Sequence, residues 1–226
     1  MREILVYGDS NTWGYNPHTK ARYPEEHRWP CVLQRELGMD YHVIAEGLNG
    51  RTTVWDDPLE GGEIKNGARH LPVALQSHMP LDLVIIMLGT NDLKHRFSLT
   101  AFDIANGAGV LVDIVRASHC GRSPKRGTEE LGTGEAPPVL VIAPPSLGLL
   151  SEFRHIFFKG VETSSHFPCQ FRRMAEERGC ALLDAGEFLV SSDADGVHFD
   201  PEMQVLLGQR VAQRVREMLG ALPLEK

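Results

Sequence analysis

Four short polar segments of this chain carry residue types that could do chemistry together: Gly8-Asp9-Ser10, Asn49-Gly50-Arg51, Gly89-Thr90-Asn91-Asp92 and Asp195-Gly196-Val197-His198. A serine hydroxyl is a poor nucleophile until a base takes its proton, and histidine does this near neutral pH. The imidazole must be held in one tautomer, which a carboxylate accepting from its other ring nitrogen achieves. Asp195 and His198 are three residues apart, so a tight turn can bring both side chains to one side. Attack on a carbonyl creates an oxyanion, and three donors are available for it: the backbone N–H groups of Ser10 and Gly50 and the side-chain amide of Asn91. Singly, each residue has a plainer role. Ser10 suits a turn, Asn91 a helix cap, Gly50 an unusual backbone angle, and His198 a loop. The combination argues for catalysis.

These groups can meet only if the fold brings their loops together. Apolar runs of strand length recur at 3–7, 42–46, 83–88, 139–143 and 181–185. Between them lie stretches with helical spacing, at 29–37, 102–119, 169–178 and 201–219. Pro30 falls in a first helical turn, and Asp200-Pro201 reads as a cap followed by a first turn. Strands alternating with helices imply right-handed βαβ units and a parallel sheet. The expected architecture is one domain over 1–226, a three-layer α/β/α sandwich with about five parallel strands. Ligands of such sheets bind at the carboxyl ends of the strands. All four polar segments follow a predicted strand.

The bulk numbers fit a soluble globular protein of one domain. The chain has 226 residues, is 42% hydrophobic and 23% charged, and carries a formal charge of −7. An acidic balance argues against a nucleic-acid partner. No apolar run reaches the ~18–20 residues of a membrane span. The start, MREILVYGDS, enters a strand directly without the features of a secretion signal, so a cytoplasmic location is expected. The four cysteines are widely spaced, which suggests reduced thiols and neither zinc nor disulfides. Two segments break the pattern. Residues 121–138 form a Gly-, Pro- and charge-rich excursion. Residues 144–162 carry Phe153, Ile156, Phe157 and Phe158, which can wall a pocket, bury against another subunit or pack locally.

The four segments, together with EGLNGRTT, DLVIIMLGTND and DGVHF, resemble the SGNH, or GDSL-type, hydrolases over nearly the whole chain, and their small arylesterase and acyltransferase branch most strongly. The resemblance implies a flavodoxin-like sandwich, with Ser10 as nucleophile, His198 as base and Asp195 as orienter. It implies an oxyanion hole of Ser10, Gly50 and Asn91. Short-chain ester substrates, no metal or other cofactor, and compact homo-oligomers follow from it as well. Asn11 departs from the pattern, standing where the family's Leu usually sits, and altered packing is the expected consequence. Trp13 and Phe153 are candidates for the substrate pocket, as is Trp55. Asp193 competes with Asp195 as orienter but lies two residues farther from His198. Asp9 reads as an organiser of the serine turn, and His95 and His155 lack ligand spacing.

The expected function is therefore a serine esterase working through an acyl-enzyme, with transfer to an alcohol as a second fate of the acyl group. Two readings compete. A flavodoxin-like module could bind a phosphate or flavin through Ser10, Asn11 and Thr12, which would leave Asp195 and His198 without a task. A metal-dependent phosphoesterase could use Asp9, Asp92, Asp195 and His198, and would be sensitive to chelators.

Overall fold

Side chains on a strand alternate between faces, so a run that is apolar at every position must be covered on both sides. The computed structural model of the chain, which describes residues 1–122 and 134–220, contains five strands, of which those at 83–87 and 139–143 are apolar and buried throughout. They are β1 (Arg2–Gly8), β2 (Tyr41–Gly47), β3 (Leu83–Met87), β4 (Val139–Ala143) and β5 (Ala181–Asp184). All pair in parallel, in the order β2-β1-β3-β4-β5. That order is the flavodoxin-like one, and its switch point lies between β1 and β3.

Seven helices accompany the sheet among the described residues: α1 (Ser10–Trp13), α2 (Trp29–Leu37), α3 (Gly67–His78), α4 (Ala101–Ser118), α5 (Gly160–Ser164), α6 (Phe167–Arg178) and α7 (Pro201–Leu219). Ile4 and Val6 of β1 join Leu83, Ile85, Leu140 and Ile142 beneath α2 and α7. Leu5 and Tyr7 face the other way and join Val84, Ile86 and Val141 beneath α3, α4 and α6. The result is the expected three-layer sandwich.

The four predicted helices begin and end within two residues of their expected bounds, whereas α1, α3 and α5 are additions, α3 the longest of them. Pro72 lies inside α3 and removes a ladder hydrogen bond, which in a helix interior costs about 3 kcal/mol. Fully buried Leu71 and Leu75 each return roughly 1.5–3 kcal/mol by leaving water, and the Asn66 side chain caps the start by accepting from the Ala68 N–H at 3.0 Å. Asp200 does precede α7, but its carboxylate does not cap it. The side chain accepts instead from Ser192 Oγ at 2.8 Å and contacts His18 Nε2 at 2.8 Å.

Of the 121–138 excursion, residues 123–133 lie outside the described residues. Within 144–162, Phe157 is buried, and Phe153 and Ile156 pack against the core on the α3–α4–α6 side of the sheet. Phe158 is exposed, edge-on to His95. Among the described residues no helix is long and apolar enough to cross a membrane.

Candidate active site

Strand β1 ends at Gly8, and Asp9 immediately caps the one-turn helix α1 by accepting from the Asn11 N–H at 2.9 Å. The capped turn presses its backbone onto the end of β2. A Cβ at Gly47 would lie 2.3 Å from the Trp13 nitrogen, so only glycine permits this approach. Ser10 opens α1, and its Oγ lies 2.9 Å from His198 Nε2.

His198 follows β5 in a turn built by Asp195. One carboxylate oxygen of Asp195 accepts from the backbone N–H groups of Val197 (2.8 Å) and His198 (2.9 Å). The other lies 2.6 Å from His198 Nδ1. Burial works to raise the pKa of Asp195, and the hydrogen bond and charge of His198 with the two backbone donors outweigh it, leaving the carboxyl below its ordinary range. Asp195 is therefore ionised at neutral pH, which keeps a proton on Nδ1 and leaves Nε2 free to accept one. Asp193, the competing carboxylate, is exposed.

Gly50 and Asn91 arrive from the ends of β2 and β3. Gly50 adopts φ +80°, a left-handed angle that side chains rarely accept, and it lines the same cavity as Ser10, Asn91 and His198. The N–H groups of Ser10 and Gly50 find no protein acceptor among the described residues. The Asn91 amide leans on Asp9, with Nδ2 3.4 Å from Oδ2. Three donors thus border one cavity without strong internal partners, which is the arrangement an oxyanion needs.

The cavity holds about 170 Å³. Its apolar wall comprises Phe153, Ile156, Phe157 and Val197, with Tyr15 beside the imidazole. The Tyr15 ring lies 4.2 Å from that of His198 and Phe153 lies 6.0 Å away, so two aromatic rings hold the base in place. Asn49, Glu60 and Lys94 form a polar wall. Trp13, expected in the pocket, is not part of it: Arg22 covers its ring at 5.0 Å. Gly14 ends the one-turn helix at a left-handed φ of +93°, and it is the next residue, Tyr15, that lies against the imidazole. Trp55 also lies outside the lining, partly exposed. Sequence reasoning missed Tyr15, Glu60 and Lys94. Only Tyr15 carried a signal, as an aromatic residue directly after a turn glycine.

Asn11 sits buried behind the serine turn. Its Nδ2 reaches the Val197 carbonyl at 3.4 Å, and its own carbonyl accepts from Gln204 at 2.9 Å. The Leu-to-Asn departure thus places a polar link between the serine turn and the histidine loop. The four groups of the metal-centred alternative are each engaged otherwise: Asp9 caps α1, Asp92 accepts from Thr53, and Asp195 and His198 bond one another. Among the described residues no three His, Cys, Asp or Glu side chains form a group that could hold a metal ion.

Asp92 supplies a pH test. It is 1% exposed, accepts from the Thr53 N–H at 3.0 and 3.1 Å and is bonded to the Thr53 hydroxyl. Burial pushes its pKa up to about 7, against those hydrogen bonds. The folded state therefore keeps a proton that the unfolded chain releases near pH 4. Stability contributed by this group is complete below that value and is lost as pH rises through about 7. Asp92→Asn removes the ionisation and keeps an acceptor for Thr53. Its melting temperature, followed by circular dichroism, is expected to gain a few degrees on the wild type between pH 5 and pH 8. A gap that moves the other way would mean that Asp92 is held ionised.

Comparison with known proteins accords with this geometry. No curated protein matches the chain. Among solved structures, Est24, a carbohydrate acetylesterase from Sinorhizobium meliloti, is 39% identical with a TM-score of 0.88, over 96% of this chain and 100% of its own. A carbohydrate acetylesterase family member from the same organism is 42% identical with a TM-score of 0.86, over 98% of this chain and 100% of that one. The native aryl esterase of M. smegmatis is 39% identical with a TM-score of 0.88, over 97% and 100%. Residues 6–206, which span every element from the serine turn to the start of the last helix, match the GDSL-like lipase/acylhydrolase family, and the chain belongs to it.

Proposed function

We propose that the protein cleaves esters of short carboxylic acids through an acyl-enzyme on Ser10, with His198 as base and Asp195 as its orienter. Family membership makes it a carboxylic ester hydrolase. The observation that carries the residue assignment is the continuous path from Ser10 Oγ to His198 Nε2 at 2.9 Å and from His198 Nδ1 to Asp195 at 2.6 Å.

In the proposed cycle His198 takes the hydroxyl proton as Ser10 attacks the ester carbonyl. The oxyanion is held by the N–H groups of Ser10 and Gly50 and the amide of Asn91. Losing one such donor typically costs ~10²–10³ in turnover. Collapse of the tetrahedral species expels the alcohol, which His198 protonates. Water, deprotonated by the same imidazole, then releases the acid. Asp195 steadies the imidazolium formed in each half of the cycle.

The cavity volume supports a small substrate. A space of about 150 Å³ accepts benzene, so about 170 Å³ suits a short acyl group with a modest alcohol. The similar structures of a carbohydrate acetylesterase and an aryl esterase point the same way. The wall of Phe153, Ile156 and Phe157 favours a less polar acceptor than water, which supports transfer to alcohols as a secondary outcome. Residence in the cytoplasm fits four cysteines that are all free. Assembly of several copies fits the exposed Leu149, Phe158 and Val161, and residues 1–226 are read as one hydrolase domain.

Labelling with a serine-directed phosphonate, followed by peptide mapping, tests the assignment. A single adduct on Ser10 is expected, with loss of esterase activity in proportion to labelling. An adduct on another residue, or full activity in labelled enzyme, would remove it.

A further inference from the structure

The two charged residues of the polar wall, Glu60 and Lys94, belong to a closed ring of bonded charges. Lys94 Nζ lies 2.9 Å from Asp57 Oδ2 and 2.7 Å from Glu60 Oε2. The Arg96 guanidinium donates to the remaining oxygens, at 3.0 Å to Asp57 Oδ1 and 2.7 Å to Glu60 Oε1. Two cations and two carboxylates alternate, so the ring carries no net charge. The Asp57 side chain is fully buried and that of Lys94 is 3% exposed, while Glu60 is 40% exposed and faces the cavity. Burial works to raise the pKa of both carboxyls. Their bonds to Lys94 and the charge of Arg96 outweigh it and hold both below the ordinary range.

The ring touches both loops that carry oxyanion donors. Lys94 closes the 3-10 turn that begins at Asn91, its N–H donating to the Asn91 carbonyl at 3.3 Å. Glu60 stands beside Gly50: a Cβ built there would lie 3.7 Å from Glu60 Oε2 and 3.5 Å from Lys65 Cε, whose ammonium is turned to the Asn49 carbonyl at 2.7 Å. A carboxylate in that position opposes negative charge on a reacting oxygen unless a cation cancels it. Packing does not call for this arrangement, since buried ion pairs are often no more stable than apolar side chains of the same volume.

We propose that Lys94 is a positioning residue of electrostatic kind, which cancels Glu60 and so keeps the wall beside Gly50 and Asn91 free of negative charge when the oxyanion forms. This rests on the oxyanion-hole reading above. The effect belongs to the transition state, so it falls on kcat more than on KM. Lys94→Met leaves the ring with one excess negative charge. Its kcat on p-nitrophenyl acetate is expected to fall about tenfold to hundredfold, with KM changed by less than about threefold. Adding Glu60→Gln to that variant restores neutrality and is expected to recover most of the loss. Glu60→Gln alone leaves one excess positive charge and is expected to raise kcat severalfold.

The three variants are compared with the wild type by steady-state kinetics, with phosphonate titration of active sites to count folded enzyme. A double variant no faster than Lys94→Met, or a fall in kcat for Glu60→Gln alone, would overturn the proposal, since only a structural role moves all three downward. Those failures would leave labelling at Ser10 untouched, whereas failure of the esterase reading would abolish labelling in the wild type.

Discussion

Ser10→Ala is expected to fold as the wild type does and to turn over p-nitrophenyl acetate about 10⁴–10⁶-fold more slowly, with no phosphonate adduct. The size follows from what the hydroxyl does in the proposed cycle. Without it no acyl-enzyme forms, and the remaining donors and His198 can only assist water, which leaves the residual rate usual for a serine hydrolase stripped of its nucleophile. The fold should tolerate the change because Oγ bonds only to His198, while the turn is held by Asp9 and by the Ser10 carbonyl. A loss of one such bond is worth about 1 kcal/mol. Kinetics beside a thermal melt decides the matter. Turnover within tenfold of the wild type in a variant with an unchanged melt would exclude Ser10 as nucleophile.

Asp195→Asn should cost about 10⁴-fold in kcat/KM, whereas Asp193→Asn should stay within about twofold of the wild type. The argument is one of tautomers. Asp195 presents one oxygen to the Val197 and His198 N–H groups and the other to Nδ1. An asparagine has only one acceptor oxygen. If the backbone donors keep it, the amide NH₂ faces Nδ1, and the ring proton must move to Nε2. That nitrogen then donates to Ser10 and can no longer accept its proton. Asp193 is exposed and has no part in this path. Parallel kinetics on the two variants provides the check. A larger loss for Asp193→Asn would transfer the orienting role to it.

How far such a site can be read in advance depends on whether its signals are local. The strands were legible because a doubly covered strand must be apolar throughout, as in Leu83–Met87. Ser10, Asp195 and His198 were legible because each lies in a short turn with its own composition, just past a predicted strand. Helix α3 was not, since Pro72 speaks against a helix and only the burial of Leu71 and Leu75 reveals what offsets it. Trp13, expected in the pocket, lies instead under Arg22, a contact between residues nine apart that no local composition announces. Glu60 and Lys94 gave no signal, for their importance arises from proximity between loops 34 residues apart in sequence.

The hydroxyl and the imidazole that meet across the sheet edge are separated by 188 residues of chain. His198 follows all five strands, so the proposed proton acceptor joins the serine only after the whole sheet has been synthesised. A chain cut before residue 195 keeps the serine turn and every strand yet lacks the proposed base, and is expected to have no esterase activity.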